Sequence, residues 1–325
     1  MNKILFKDKC FNSDLPSGFF FSSKQTCEDI LKSDINVYAE VDEYNFTDPA
    51  FLPALQKVNP RNLTFILCRS PNSTDEFYRA YGNVKYWSDY FVYPILSNIG
   101  LDIEKYLSIQ NTLQNTSDIT IPFTLYFRQP KPYRKYLYNI LSNNDILKYG
   151  DWTYNKSLQT WNIKSWHAAF SFIPDSFNNT LLDIVCETYN HDNEKYFFTE
   201  KTWRPILWGK PFLIAGVAGI NKELKSMGFE LYDEIIDYSF DNETDVNKRM
   251  EMIALQIATL CKSNFDLNKI YRNLLYPKIN YNRKLMMNNI LEGKYLPKEC
   301  LENSKYVIAI EEAKKNATSV LKHLP

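Results

Sequence analysis

Residues 197–216 read FFTEKTWRPILWGKPFLIAG. Two aromatic residues run into Thr199-Glu200-Lys201, and Arg204 and Pro205 follow. Gly209-Lys210-Pro211 then leads into an apolar run from Phe212 to Ala215. A Thr that caps a helix leaves the first backbone N–H groups pointing outward with partial positive charge, which suits an anion. Lys201 adds a full charge, and Arg204 follows within a turn. Pro205 limits the geometry: either the helix kinks there or it begins nearer Thr202. Glu200 does not suit a bare phosphate, but a carboxylate in that place can accept from two neighbouring hydroxyls, as on a ribose. The stretch therefore fits a nucleoside diphosphate. The competing reading is a dipole-matched surface Glu beside a solvated Lys.

Two further segments carry candidate groups. In FRQPKPYRKYL (127–137) an apolar strand ends, four basic residues follow (Arg128, Lys131, Arg134, Lys135), and a helix starts. Arg134 falls in its first turn, and a planar guanidinium can make two parallel charge-assisted bonds to a diphosphate. A basic solvated helix end is the alternative. In DIVCETYN (183–190) a strand delivers Glu187 to its carboxyl end. That Glu either faces a ligand or caps a loop.

These residues need strands and helices to hold them. Strands are predicted at 3–6, 35–41, 62–68 and 83–87, with helical patterns at 23–32, 48–58 and 74–82 between them. A second alternating set begins after the polar stretch 107–120. It has strands at 123–129, 180–187 and 212–215, and helices at 131–142, 219–229 and 246–262. From about 264 onward only helical patterns are present. Such alternation implies parallel sheets covered by helices. The expected architecture is α/β: two Rossmann-like domains facing across a cleft, with a helical C-terminal tail. The expected domains are 1–118 (acceptor side), 119–264 (nucleotide-sugar-binding) and 265–325 (a helical tail that packs back on the first). In such sheets ligands sit beyond the carboxyl ends of the strands, where all three segments fall.

Composition narrows the function classes. A chain of 325 residues is long enough for two cores. Lys and Arg together number 38, as do Asp and Glu, so no global basic field points to nucleic acid or a membrane surface. The six cysteines are scattered without a Cys-x-x-Cys, which argues against a zinc site or a disulfide framework and fits a reducing, cytoplasmic compartment. No long apolar segment predicts a leader peptide or a membrane span. With 9 glycines and no Gly-x-Gly-x-x-Gly or Walker-type loop, a dehydrogenase and a P-loop NTPase are both disfavoured.

Taken in order, Arg134, CETYN (186–190) and FFTEK (197–201), followed by GKPFLIAG (209–216), resemble the donor domain of GT-B glycosyltransferases of the α1,3-fucosyltransferase-like kind. The resemblance covers about residues 120–235. It implies a nucleotide-sugar donor, with Arg134 and Lys201 on the diphosphate and Glu200 on the ribose. Thr199 and Arg204 would support them, and Glu187 would position sugar or nucleotide. Thr188-Tyr189 stands where the family has Asn-Ser, so the resemblance does not name the sugar.

No Asp-x-Asp is present. FDNETD (240–245) reads as the cap of the following helix, so diphosphate neutralisation is expected from cations of the chain rather than from a metal. An inverting transfer needs a general base. Asp42 and Glu43, then Glu40, are the candidates, with Asp89 as a second choice and His167 read as a packed histidine. The acceptor is open among glycan, protein, small molecule and a hydroxylated DNA base. A non-catalytic nucleotide- or glycan-binding protein on the same fold is the alternative.

Overall fold

The computed structural model describes residues 3–6, 37–41, 63–67, 79, 83–86, 118–127, 130–154, 175–188, 196–295 and 304–324. The chain divides into two compact units, Met1–Tyr90 with Tyr295–Ile310, and Phe91–Lys294 with Glu311–Pro325. In the first, β1 (Lys3–Phe6), β2 (Val37–Val41), β3 (Leu63–Leu67) and β4 (Asn83–Tyr86) form a four-stranded parallel sheet in that order. These strands fall where the sequence predicts them. The predicted helices 23–32 and 48–58 lie outside the described residues, and of 74–82 only Arg79 is described, as helical.

The second unit holds another parallel sheet, of β5 (Ile121–Phe127), β6 (Gly150–Tyr154), β7 (Thr180–Cys186) and β8 (Phe212–Ala215), in the order β6-β5-β7-β8. Every residue of the inner strand β7 is buried, as a strand covered on both faces requires. The edge strand β6 is not predicted by apolar runs, because Gly-Asp-Trp-Thr-Tyr has none. Gly150 is needed there: a Cβ would lie 2.3 Å from Cζ of Phe123.

The longer helices among the described residues are α1 (Pro132–Asn143), α2 (Glu200–Trp208), α3 (Ile220–Ser226), α4 (Val246–Lys262), α5 (Tyr276–Leu291) and α6 (Ser304–His323). Their ends follow local chemistry. Thr199 caps α2, and Gly209 ends it in the left-handed region at φ 69°. Pro205 stays inside α2, which starts at Glu200 rather than at Thr202. Asp245 caps α4 by accepting from Asn247 and Lys248, as FDNETD predicts. Gly228, at φ 96°, follows α3. α4 lies on α1, and α5 lies against α2. The α/β class, the parallel sheets and the helical C-terminal region thus agree with the sequence reading. Among the described residues no helix is long and apolar enough to cross a membrane.

Two buried polar arrangements stabilise this second sheet. At the β8 edge, the Asn221 side chain takes the Ile214 N–H (3.0 Å) and gives its own N–H to the Ile214 carbonyl (2.9 Å), so a ladder position with no strand beside it is closed by a side chain. Asp241 in turn accepts from the Asn221 side chain and the Lys222 backbone. Under α2, Asp183 accepts from the Thr124 hydroxyl (2.8 Å) and pairs with Arg204 (3.4 Å). Burial outweighs those partners and leaves the Asp183 carboxyl above its ordinary pKa. Lys210 is fully buried, donates to the Thr180 carbonyl (2.7 Å), and lies 5.6 and 5.4 Å from the Phe177 and Tyr271 ring centres.

Burial lowers the Lys210 pKa from 10.5 to about 7, with Asp183 opposing the shift. Between those two values the unfolded chain holds a proton that the folded chain lacks, so this group makes stability rise with pH. Relative to Lys210→Met, wild-type unfolding free energy should therefore gain about 3 kcal/mol between pH 7 and pH 9.5. Denaturant titrations at each pH check this. Parallel pH profiles for the two proteins would show that Lys210 does not titrate in that window.

Candidate functional site

The end of β7 and the start of α2 are joined through one side chain. Glu187 follows β7 and is 0% exposed. Its carboxylate accepts four hydrogen bonds: from the Thr188 N–H (3.1 Å), the Thr199 N–H (2.9 Å), the Thr199 hydroxyl (2.6 Å) and the Thr202 hydroxyl (2.6 Å). A buried carboxylate is tolerated only when donors replace its water, and here both oxygens carry two. Thr199 is consequently fully used: its hydroxyl donates to Glu187 while accepting from the Lys201 N–H (3.3 Å) and the Lys201 ammonium (3.1 Å).

The carbonyl side of the same strand end is held from α1. Arg134 is 3% exposed. Its Nη2 donates to the carbonyls of Cys186 (2.8 Å) and Glu187 (2.9 Å), and its Nε donates to the Tyr133 hydroxyl (3.0 Å). Tyr133 donates to the Glu187 carbonyl. Burial raises the Tyr133 phenol far above its ordinary value, so it remains a donor. Arg134 lies on the buried stripe of α1 with Leu137 and Leu141. It reaches the predicted strand end, but as a brace to backbone carbonyls.

Thr188 is the next residue, and two ammonium groups meet on it. Lys131 Nζ donates to its carbonyl at 2.7 Å. Lys201 Nζ lies 3.3 Å from its hydroxyl and 2.7 Å from Glu200 Oε1. The Lys201 and Glu200 side chains are 25% and 21% exposed, so both can reach a ligand. Burial works against charge on Glu200, but the Lys201 ammonium, the helix-start backbone and Arg204 together hold its carboxyl below its usual pKa. Thr199, Glu200, Lys201 and Glu187 are therefore brought together. Arg204 pairs with Asp183 on the sheet while its charge still acts on Glu200, and its Nε is buried without a hydrogen-bond partner.

Glu40 is the fourth residue of β2, in register with Ile66. Asp42, Glu43, Asp89 and His167 lie outside the described residues, as does Arg128. Among the described residues no group of three or more His, Cys, Asp or Glu side chains is arranged to hold a metal ion.

Family models, curated proteins and solved structures supply no match to this chain. Its architecture is of the general Rossmann-like kind, with helix starts gathered at the carboxyl ends of parallel strands, a place suited to nucleotides. Sequence reasoning missed Thr202, although Thr199 and Thr202 are one turn apart and so share a face. It also missed Tyr133, which nothing in the local pattern distinguishes from a packed aromatic.

Two substitutions test this description. Glu187→Gln turns two accepting positions into donors that face the Thr199 and Thr202 donors, and should cost about 3 kcal/mol of stability. Arg134→Met strips the Cys186 carbonyl of its guanidinium partner in a buried setting and should cost about as much. Urea unfolding measures both. Loss below about 0.5 kcal/mol in either would show that the strand end is held by other means.

Proposed function

We propose that the chain is a nucleotide-sugar-dependent glycosyltransferase of GT-B type, with its donor site on the Thr188 cluster. The observation that supports this is the meeting of the accessible Glu200–Lys201 pair with Thr188 at the carboxyl end of β7. On this reading Lys201 takes the diphosphate and Glu200 accepts from a pentose hydroxyl. Glu187 and Thr199 set the position of both through α2, and Arg134 braces the strand from below. As the glycosidic bond breaks, negative charge grows on the leaving diphosphate. A pre-positioned ammonium then binds the transition state more strongly than the ground state, which lowers the barrier.

The reading assigns neutralisation of that charge to cations of the chain, and inversion at the sugar to a base from the N-terminal half, for which Asp42, Glu43 and Glu40 are the candidates. The acceptor is a hydroxyl of a glycan, a protein, a small molecule or a hydroxylated DNA base.

Calorimetry with a panel of nucleoside diphosphates tests the binding half. One of them should bind wild type, and Lys201→Ala should weaken it about tenfold or more. Glu200→Gln should weaken the nucleoside diphosphate yet tighten inorganic pyrophosphate, because it loses a ribose acceptor and a repelling charge together. Incubation with the matching nucleotide sugars should release free nucleotide, and a chelator should leave that rate unchanged. Binding without any release in the presence of acceptor mixtures would favour the non-catalytic reading. Absence of binding to every nucleotide would remove the site.

A further inference from the structure

Resting on that donor-site reading, we infer that Arg204 is a positioning residue for Glu200: the Glu200 carboxylate passes from the Lys201 ammonium to the Arg204 Nε–H when a diphosphate occupies Lys201. Glu200 and Arg204 stand four residues apart on α2, the spacing at which an acid and a base share a helix face, with the acid on the N-terminal side as such pairs prefer. In the structure the carboxylate is turned to its neighbour instead, with Lys201 Nζ 2.7 Å from Glu200 Oε1. Arg204 is only partly engaged. Its Nη2 reaches Asp183 at 3.4 Å, a long contact for a charged pair, and its Nε is buried without a hydrogen-bond partner. A buried charged donor left unpaired is costly, so a carboxylate one turn away has a place to go. The guanidinium already lies close enough for its charge to act on the Glu200 carboxyl.

Charge drives the exchange. A carboxylate resting on Lys201 offsets the ammonium and repels an incoming anion, so a diphosphate gains most from Lys201 once Glu200 has left it. The hydroxyls nearest in sequence are not free to receive Glu200, because Thr199 and Thr202 both donate to Glu187. The Arg204 Nε–H is the unused donor on the same helix face. Asp183 keeps its hold on Nη2, so the guanidinium then spans a carboxylate of β7 and a carboxylate of α2 without leaving the sheet. A carboxylate has two oxygens. With one on Arg204, the other is presented in a fixed direction to the pentose hydroxyl. The resting structure thus holds Glu200 over Lys201, and the loaded one holds it beside Lys201.

The test is an NMR titration of the intact protein, with labelled arginine and glutamate side chains, by inorganic pyrophosphate at constant ionic strength. Pyrophosphate should slow exchange of the Arg204 Nε–H with water about tenfold or more, and should move that signal and the Glu200 carboxyl signal along one binding curve. In Glu200→Gln the Arg204 signal should stay where it is while pyrophosphate still binds. Affinities in a double-mutant cycle separate this role from a merely structural one. Arg204→Lys keeps a cation for Asp183 but has no Nε–H; it should weaken pyrophosphate about fivefold when Glu200 is present and leave affinity unchanged in the Glu200→Gln background. Pyrophosphate binding with an unmoved Arg204 signal, or equal losses in both backgrounds, overturns the role of Arg204 and leaves the donor site standing. Absence of pyrophosphate binding overturns both. Should Arg204→Lys fail to fold, the wild-type titration decides alone.

Discussion

The carboxylate of Glu187, buried and holding four donors, is the interaction on which the described site depends. A carboxylate taken out of water is costly, and this one is stabilised because the first residues of α2 supply the N–H and hydroxyl groups that water would have given. The bonds run in both directions of the argument. Without Glu187, the Thr199 and Thr202 hydroxyls would be buried donors without an acceptor. Without α2, Glu187 would be a buried charge without donors. Strand end and helix start therefore hold one another, and Lys201 and Glu200 inherit their position from that junction.

A second layer lies behind the first. Arg134 and Tyr133 bind the carbonyl side of residues 186–187, so the strand end is gripped from α1 as well as from α2. Deeper in the sheet, Asp183, Arg204 and Lys210 form a polar core that helps seat α2 on β7. The division of labour follows burial. Among the described residues, the wholly enclosed Glu187, Arg134 and Asp183 hold backbone groups, hydroxyls or another charge, while Lys201 and Glu200 are partly exposed.

Much of this was legible in the sequence, for stated physical reasons. Thr199 followed by Glu200 and Lys201 reads as a cap, and it is one. The strands after 62 and 180 are mostly apolar runs, LTFIL and TLLDIVC, and they are strands. The buried fate of Arg134 was also written in the pattern, since Arg134, Leu137 and Leu141 recur at the helical period, although the charge of Arg134 drew attention to ligands instead. Arg204 could not be assigned this way, because its partner Asp183 lies 21 residues earlier and only the packing of α2 on the sheet joins them. β6 escaped because Asp151 and Thr153 interrupt it and its one glycine is there for the Phe123 ring, a contact from another strand. Local signals found caps and strands; pairings between distant segments needed the fold.

A crystal structure with a nucleoside diphosphate bound addresses the central claim most directly. The account predicts phosphate oxygens about 2.7–3.2 Å from the Lys201 ammonium above Thr188, a pentose hydroxyl on Glu200, and a Glu187 carboxylate still bound to Thr199 and Thr202. A nucleotide seated away from Thr188, or an α2 start that leaves Glu187 when the nucleotide binds, would contradict it.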